Sequence, residues 1–289
     1  MINTLALIGV GLIGGSLALD LKRGGHVREV VGIDIDADNL TRALERKVID
    51  RADTRIDGDS IGGADMVLLA TPVATLADIC RRIAPHLAPQ TLVSDVGSTK
   101  QSALAAFAQA LPQHLPYCVA AHPIAGSDRH GATAAQFGLF AGKKCIVCPH
   151  PQQDPAAQAT VSALWQTAGA HVHTMDAAEH DAVFAAVSHL PHLLAYAYVH
   201  QIGSADARET LLQFAGSGFR DFTRIAASHP AIWTDICLAN RDSLQTLLQR
   251  QQQELAFLQQ CLQQQDRQAL ADYFQAAKHT RDAWQDAQD

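Results

Sequence analysis

Leu5-Ala6-Leu7-Ile8-Gly9-Val10-Gly11-Leu12-Ile13-Gly14 is the stretch whose reading decides the fold. Its first four residues are apolar without alternation, as a strand buried on both faces requires, and the glycines then follow a G-x-G-x-x-G spacing that opens an apolar-periodic helix over Ser16 to Leu21. Gly9 permits the tight turn, Gly11 lets backbone approach a pyrophosphate, and Gly14 allows helix to pack closely on strand. Leu12 and Ile13 complete the loop where the helix N-terminus favours phosphate charge. A second strand, Val30-Val31-Gly32-Ile33, leads to Asp34, where a carboxylate would hydrogen-bond an adenosine ribose and repel a 2′-phosphate, favouring NAD over NADP. Asp36 competes for that role, and no arginine follows directly to receive a phosphate.

Working outward, strands and helices keep alternating: a helix over 37–47, a third strand at Asp65–Ala70, a helix over 74–84 and a fourth strand at Thr91–Ser94. This pattern predicts a doubly wound parallel sheet, Rossmann-like, with ligands at the carboxyl ends of its strands. Two such exits carry polar signals, Thr71-Pro72-Val73 and Asp95-Val96-Gly97-Ser98-Thr99-Lys100. Thr71 and Pro72 are thereby candidate cofactor contacts, and Ser98 is either a hydroxyl donor near the nicotinamide or the N-cap of a helix beginning near Lys100. The run Tyr117–Ala121 is a further buried strand; Pro123 stops it and leaves His122 at its exit, as a strand-end histidine or as a proton acceptor tuned near neutral pH. A strand at 145–148, a helix at 156–168 and a last strand at 170–174 follow.

The composition of 48% hydrophobic residues supports a sizeable core, and a net charge of -7 argues against a nucleic-acid partner. No apolar run is expected to reach the ~18 to 20 residues of a membrane span, and the first strand leaves no room for a signal peptide, so the expectation is a soluble, cytoplasmic protein without membrane contact. Cys145 and Cys148 would point to opposite faces of one strand, and no second pair completes a metal site, so all six cysteines read as core residues and no metal is expected.

Beyond Met175 the strand signals stop, which places a boundary between a dinucleotide-binding domain, 1–175, and an all-helical domain, 176–289. Ser188-His189-Leu190-Pro191-His192 is a proline-kinked helix whose two histidines face either a cavity or a subunit contact. Arg220 and Arg224 share a helical face and could clamp carboxylates, unless Asp221 and Arg224 form an ordinary ion pair. From Arg241 onward one long polar helix carries a leucine seam at Leu248, Leu255, Leu258 and Leu262, suited to burial against a second copy.

Taken in order, Gly-x-Gly-x-x-Gly-Gly-Ser, Asp95-x-x-Ser98-x-Lys100, His122-Pro-Ile-Ala-Gly126, Ser188-His-Leu-Pro-His192 and Gly218-Phe-Arg-Asp-Phe-Thr-Arg-Ile-Ala226 resemble the prephenate/arogenate dehydrogenases of tyrosine biosynthesis over nearly the whole chain. The resemblance implies NAD-dependent oxidative decarboxylation of a cyclohexadienyl substrate, prephenate and/or arogenate, by a homodimer. His122 would hydrogen-bond the C4 hydroxyl and Ser98 would orient it. Arg224 would hold the ring carboxylate, and His189, His192 and Trp233 would line the site. With the chain ending at Asp289, no regulatory or mutase domain is expected. A carboxylate near the substrate side chain would favour the ammonium of arogenate, and Asp128 is the candidate, with use of both substrates as the hypothesis. A β-hydroxyacid dehydrogenase shares the domain layout, but that class uses a lysine where this chain offers a histidine pair and an Arg-Asp-Arg run. A non-catalytic NAD sensor would need the glycine loop but not His122, Ser98 and Arg224 together.

Overall fold

The computed structural model describes residues 2–126 and 129–287. Its sheet holds β1 (Ile2–Ile8), β2 (Val27–Ile33), β3 (Arg51–Asp53), β4 (Met66–Leu69), β5 (Leu92–Asp95), β6 (Cys118–Pro123), β7 (Lys144–Cys148) and β8 (His171–Thr174). The spatial order is β3-β2-β1-β4-β5-β6-β7-β8. Chain order reverses between β1 and β4, so their carboxyl ends form the crevice where a doubly wound sheet binds its ligand. Alternate residues of β1 feed two cores, Leu5 and Leu7 on one face and Ala6 and Ile8 on the other. Each fully buried leucine there contributes roughly 1.5–3 kcal/mol, which holds the glycine loop on a rigid base. Cys145 and Cys148 likewise enter opposite cores.

Three expectations need correction. The sheet is not wholly parallel, because β7 runs antiparallel to β6. Among the described residues between them only a short 3-10 turn, Ala132–Ala134, forms, so no crossover helix returns the chain to the same direction. The sheet also gains β3, a three-residue edge strand of Arg51, Ala52 and Asp53 whose polar composition carries no hydrophobic pattern. The long C-terminal helix is two helices, Arg241–Gln264 and Arg267–Asp286. Gln265 takes a positive φ of 53°, and the Asp266 side chain accepts from Ala269 N at 3.0 Å to start the second helix.

The chain divides into two compact units, residues 1–241 and 242–289. The change from sheet to helices near residue 175 is thus a change of secondary structure inside the first unit. In the second unit Tyr273 donates to Glu254 at 2.8 Å and packs beside Phe257, pairing the two helices as a hairpin. A fourth correction concerns membrane propensity. The helical run Ala177–Gly203 is 27 residues long with mean hydropathy 1.4, enough to cross a bilayer by length and composition. Its buried polar residues, described next, hydrogen-bond within the first unit.

Candidate active site

A cleft of about 900 Å³ lies over the carboxyl ends of β1, β2 and β4, lined among others by Gly9, Gly11, Asp34, Thr71 and Pro72. Gly9 has φ +88°, and a Cβ there would meet the Ala70 carbonyl oxygen at 2.6 Å. A Cβ on Gly11 would meet nothing within 4 Å, which leaves open the backbone approach a pyrophosphate needs. The helix that follows, Leu12–Arg23, has no side-chain cap and no acid in its first turn, so its N–H groups remain available to an anion. The two acids after β2 both line the cleft and differ in their bonds. Asp34 accepts from Val10 N at 3.0 Å and from Asn39 Nδ2 at 3.2 Å, and lines the cleft. Asp36 caps the helix Ala37–Glu45 by accepting from Asn39 N at 3.0 Å. Leu12 and Ile13 line an adjoining cavity of about 290 Å³ with Thr71, Pro72, Ser98 and Gly126. These surfaces suit a dinucleotide.

His122 is placed by a clamp on the residue before it. β5 and β6 pair only through Val93–Cys118 and Ser94–Val119, so the strands part before the exit. Side chains fill the opening. Ala121 N donates to Asp95 Oδ1 at 3.1 Å, and its carbonyl accepts from Lys100 Nζ at 2.6 Å. Lys100 also donates to Asp95 Oδ2 at 2.5 Å, both side chains being buried. Pro123 is tolerated in β6 because only β7 pairs with it there.

Around the ring lies a buried polar chain. His122 Nδ1 lies 2.9 Å from His180 Nε2, and His180 Nδ1 lies 2.8 Å from Asp181 Oδ1. Asp181 also accepts from the backbone N–H groups of Lys100 (2.7 Å) and Gln101 (3.0 Å), capping the helix Lys100–Ala110. Asn240 Nδ2 donates to the Asp181 carbonyl at 2.7 Å and lies 3.2 Å from His189 Nδ1. His192 stacks on Trp233 with ring centroids 3.5 Å apart and reaches the Ser188 carbonyl at 2.8 Å. This geometry follows from one turn of π-helix, Ala185–His189, just ahead of Pro191. The proline has no N–H for the regular ladder, and the widened turn carries His189 into the core.

Burial pushes the His122 pKa well below its usual 6.5, with the Lys100 ammonium and then His180 and His189 adding to the shift. Burial also pushes His189 down to about 4. Burial lowers His192 too, the Arg224 guanidinium adding to it against the opposing bond to Ser188. For Asp181 burial opposes ionisation, yet the hydrogen bonds from His180, Lys100 and Gln101 outweigh it and hold the carboxyl below the usual range. Burial thus favours the neutral ring at His122, His189 and His192, while hydrogen bonds keep Asp181 a carboxylate.

Gly9, Gly11, Leu12, Ile13, Asp34, Thr71, Pro72 and Ser98 line the two cavities, whereas Gly14, packed against Leu7 and Ala70, and His122, His189, His192, Trp233 and Arg224 do not. His122, His189, His192 and Trp233 are gathered instead by the polar chain and the Trp233 stack, to which the helix Pro230–Ala239 is common by way of Trp233, and Arg224 is linked to them through its effect on His192. Ser98 is not the N-cap: Thr99 occupies that position without a side-chain cap bond, and Asp181 supplies the missing acceptor from a distant helix. Arg220 pairs with Asp221 at 3.5 Å on the surface, so the sequence expectation of an Arg220–Arg224 clamp reduces to Arg224, and the Asp221–Arg224 pair is replaced by Asp221–Arg220. Asp128 lies outside the described residues. No cluster of three metal-ligating side chains occurs among the described residues. Sequence reasoning missed His180, Asp181 and Asn240, and also Arg42 and Arg82, which line the larger cleft. A signal for the first two was present: Ala177, His180, Asp181 and Phe184 fall on one helical stripe, which puts the polar pair on the inward face.

Comparison with known proteins matches residues 17–174 to the prephenate dehydrogenase nucleotide-binding domain and residues 176–276 to the prephenate dehydrogenase dimerization domain. The chain belongs to the prephenate dehydrogenase family. Within that family it is 37% identical over 285 residues to a prephenate dehydrogenase of Bacillus subtilis, covering 98% of this chain and 76% of the relative. It is 31% identical over 281 residues to a cyclohexadienyl dehydrogenase of Zymomonas mobilis, covering 96% and 94%. A solved prephenate dehydrogenase from Aquifex aeolicus, in complex with hydroxyphenyl propionate and NAD+, superposes with a TM-score of 0.91 at 31% identity, covering 97% of this chain and 98% of that one. The prephenate dehydrogenase match spans both halves of the chain and does not favour a β-hydroxyacid dehydrogenase or a sensor.

Proposed function

We propose that this chain, an NAD-dependent oxidoreductase of the prephenate dehydrogenase family, converts prephenate and/or arogenate to 4-hydroxyphenylpyruvate and/or tyrosine, with His122 accepting the ring-hydroxyl proton. The observation that carries the role of His122 is its place at the exit of β6, backbone clamped through Ala121 and ring bonded to His180. When bound, NAD supplies the hydride acceptor at ring C4. Gly9, Gly11, Leu12, Ile13, Gly14, Thr71 and Pro72 would hold the dinucleotide, and Asp34 its ribose.

A neutral imidazole at His122 takes the hydroxyl proton as the C4–H bond breaks, and departure of the ring carboxylate as CO2 restores aromaticity. Ser98 would orient the hydroxyl. Arg224, exposed and close enough to depress His192, would hold the ring carboxylate for orientation without stabilising it more than the transition state requires. His189, His192 and Trp233 would wall the ring. The work divides between residues 1–175, which bind the nucleotide, and residues 176–289, which bind the substrate and the second subunit. A homodimer is supported by the helical run Ala177–Gly203, only 17% of whose apolar window is buried, and by the seam residues Leu255 and Leu262, 56% and 67% exposed. A cytoplasmic setting is supported by six cysteines that are all free thiols.

The test is NADH formation, followed by absorbance, with prephenate, arogenate and a 3-hydroxy acid in turn. Turnover of either cyclohexadiene and not of the 3-hydroxy acid is expected. The reverse would overturn the proposal.

A further inference from the structure

A proton acceptor must present a bare nitrogen, yet a neutral imidazole carries its proton on either of two atoms. In this site the choice is wired into the fold. Asp181 can only accept at its ionised oxygens, so the 2.8 Å contact assigns a proton to His180 Nδ1. An imidazole whose single proton sits at Nδ1 offers a lone pair at Nε2. The 2.9 Å contact from that atom to His122 Nδ1 therefore requires the proton on His122 Nδ1, which leaves His122 Nε2 bare. Asp181 is itself held by two backbone N–H groups at the start of the helix Lys100–Ala110, so the anchor of the chain cannot rotate away. His180 is fully buried, and Phe184 packs against both rings, with centroids 4.5 Å from His180 and 4.9 Å from His122.

We propose that His180, anchored by Asp181, is a positioning residue that fixes the tautomer of His122 and leaves His122 Nε2 as its proton acceptor. The inference deepens the reading of His122 as the base and rests on it. The titratable groups that face His122 are Lys100 with its partner Asp95, His180 with Asp181, His189, and the Cys145 thiol of β7. Among them the His180 ring is the one bonded to the His122 ring.

Two measurements test this separately from the reaction. In protein labelled with 15N-histidine, the resonances lost in His122→Asn identify the ring, and their shifts report which nitrogen bears the proton. A proton on Nδ1 is expected, and a proton on Nε2 overturns the proposal whether or not the protein turns over prephenate. The second arm compares His180→Gln, whose amide oxygen can still accept from His122, with His180→Leu, which cannot. His180→Gln should keep kcat within about tenfold, and His180→Leu should lose about 100-fold or more in kcat with KM within about threefold. In the His122→Asn background the His180→Leu loss should vanish. Equal losses in both His180 variants, or a loss that falls in KM, would overturn the assignment. If His180→Leu fails to fold, the NMR arm on the unaltered protein decides. If neither cyclohexadiene is turned over by the unaltered protein, the proposed reaction fails, and the NMR arm still settles the tautomer.

Discussion

The cofactor cleft and the histidine chain are built in opposite ways. In the cleft, Val10 and Asp34 meet across 24 residues of sequence, within one strand-helix-strand unit. In the histidine chain, Lys100 and Asp181 meet across 81 residues, and the bond between His122 and His180 spans 58. The first site is a property of a local motif whose glycines each do one mechanical job. The second exists only once a helix from beyond the last strand has docked on the exits of β5 and β6. Binding is thus encoded locally, and the proposed proton chemistry depends on tertiary assembly.

The most severe way to test the distant site is to remove its working atom. His122→Asn should lower kcat by about 10³-fold or more with little change in KM, as expected of a group acting on the transition state. Near-normal turnover in steady-state kinetics would remove the asymmetry altogether. Because burial holds the His122 pKa well below 6.5 and the neutral ring is the proposed base, kcat/KM should stay level through neutral pH and fall only at a pH well under 6.5. A pH profile whose acid limb lies at or above 6.5 would contradict the buried setting.

Next comes the buried pair beneath the exit. Lys100→Met leaves Asp95 without its cation and should destabilise the fold by about 3–5 kcal/mol, read as a lower urea midpoint. A smaller effect arises from His189. Its folded pKa of about 4 lies below the unfolded 6.5, so protons bind the unfolded chain first, and stability should fall as pH drops from 6.5 toward 4. The full gap corresponds to on the order of 3 kcal/mol, and His189→Asn should flatten that part of a stability-pH curve. Smallest is the change in the local motif. A methyl on Gly11 meets no protein atom, so Gly11→Ala should leave the unfolding midpoint unchanged and weaken NAD by about tenfold, roughly 1.4 kcal/mol, by titration calorimetry. Gly9→Ala should instead destabilise the protein, because its methyl would strike the Ala70 carbonyl.

The same asymmetry explains what could be read from the sequence. Leu5–Gly14, Asp34 and the alternation of strands and helices were legible because period and spacing are local quantities. The exit position of His122 was legible because Pro123 marks it. The choice between Asp34 and Asp36 was not, since both are acids after a strand and only the cap bond to Asn39 N separates them. β3 was missed because an exposed Arg-Ala-Asp strand has no apolar pattern, and the reversal of β7 because direction depends on how the intervening loop returns. The histidine chain was half visible. The Ala177–Phe184 stripe marks His180 and Asp181 as inward facing, but nothing in it names Lys100 or His122 as their partners.

The cap that Asp181 places on the helix Lys100–Ala110 has a consequence for how such a chain can be recombined. Thr99 leaves that helix without an acceptor of its own, so a fragment ending near residue 175 would carry a helix start with two open donors. Exchange between relatives with a crossover at that point would join a nucleotide module to a helical one only if the incoming segment brings a carboxylate to the same spot. The boundary that looks like a seam in the secondary structure is, for hydrogen bonding, an interlock.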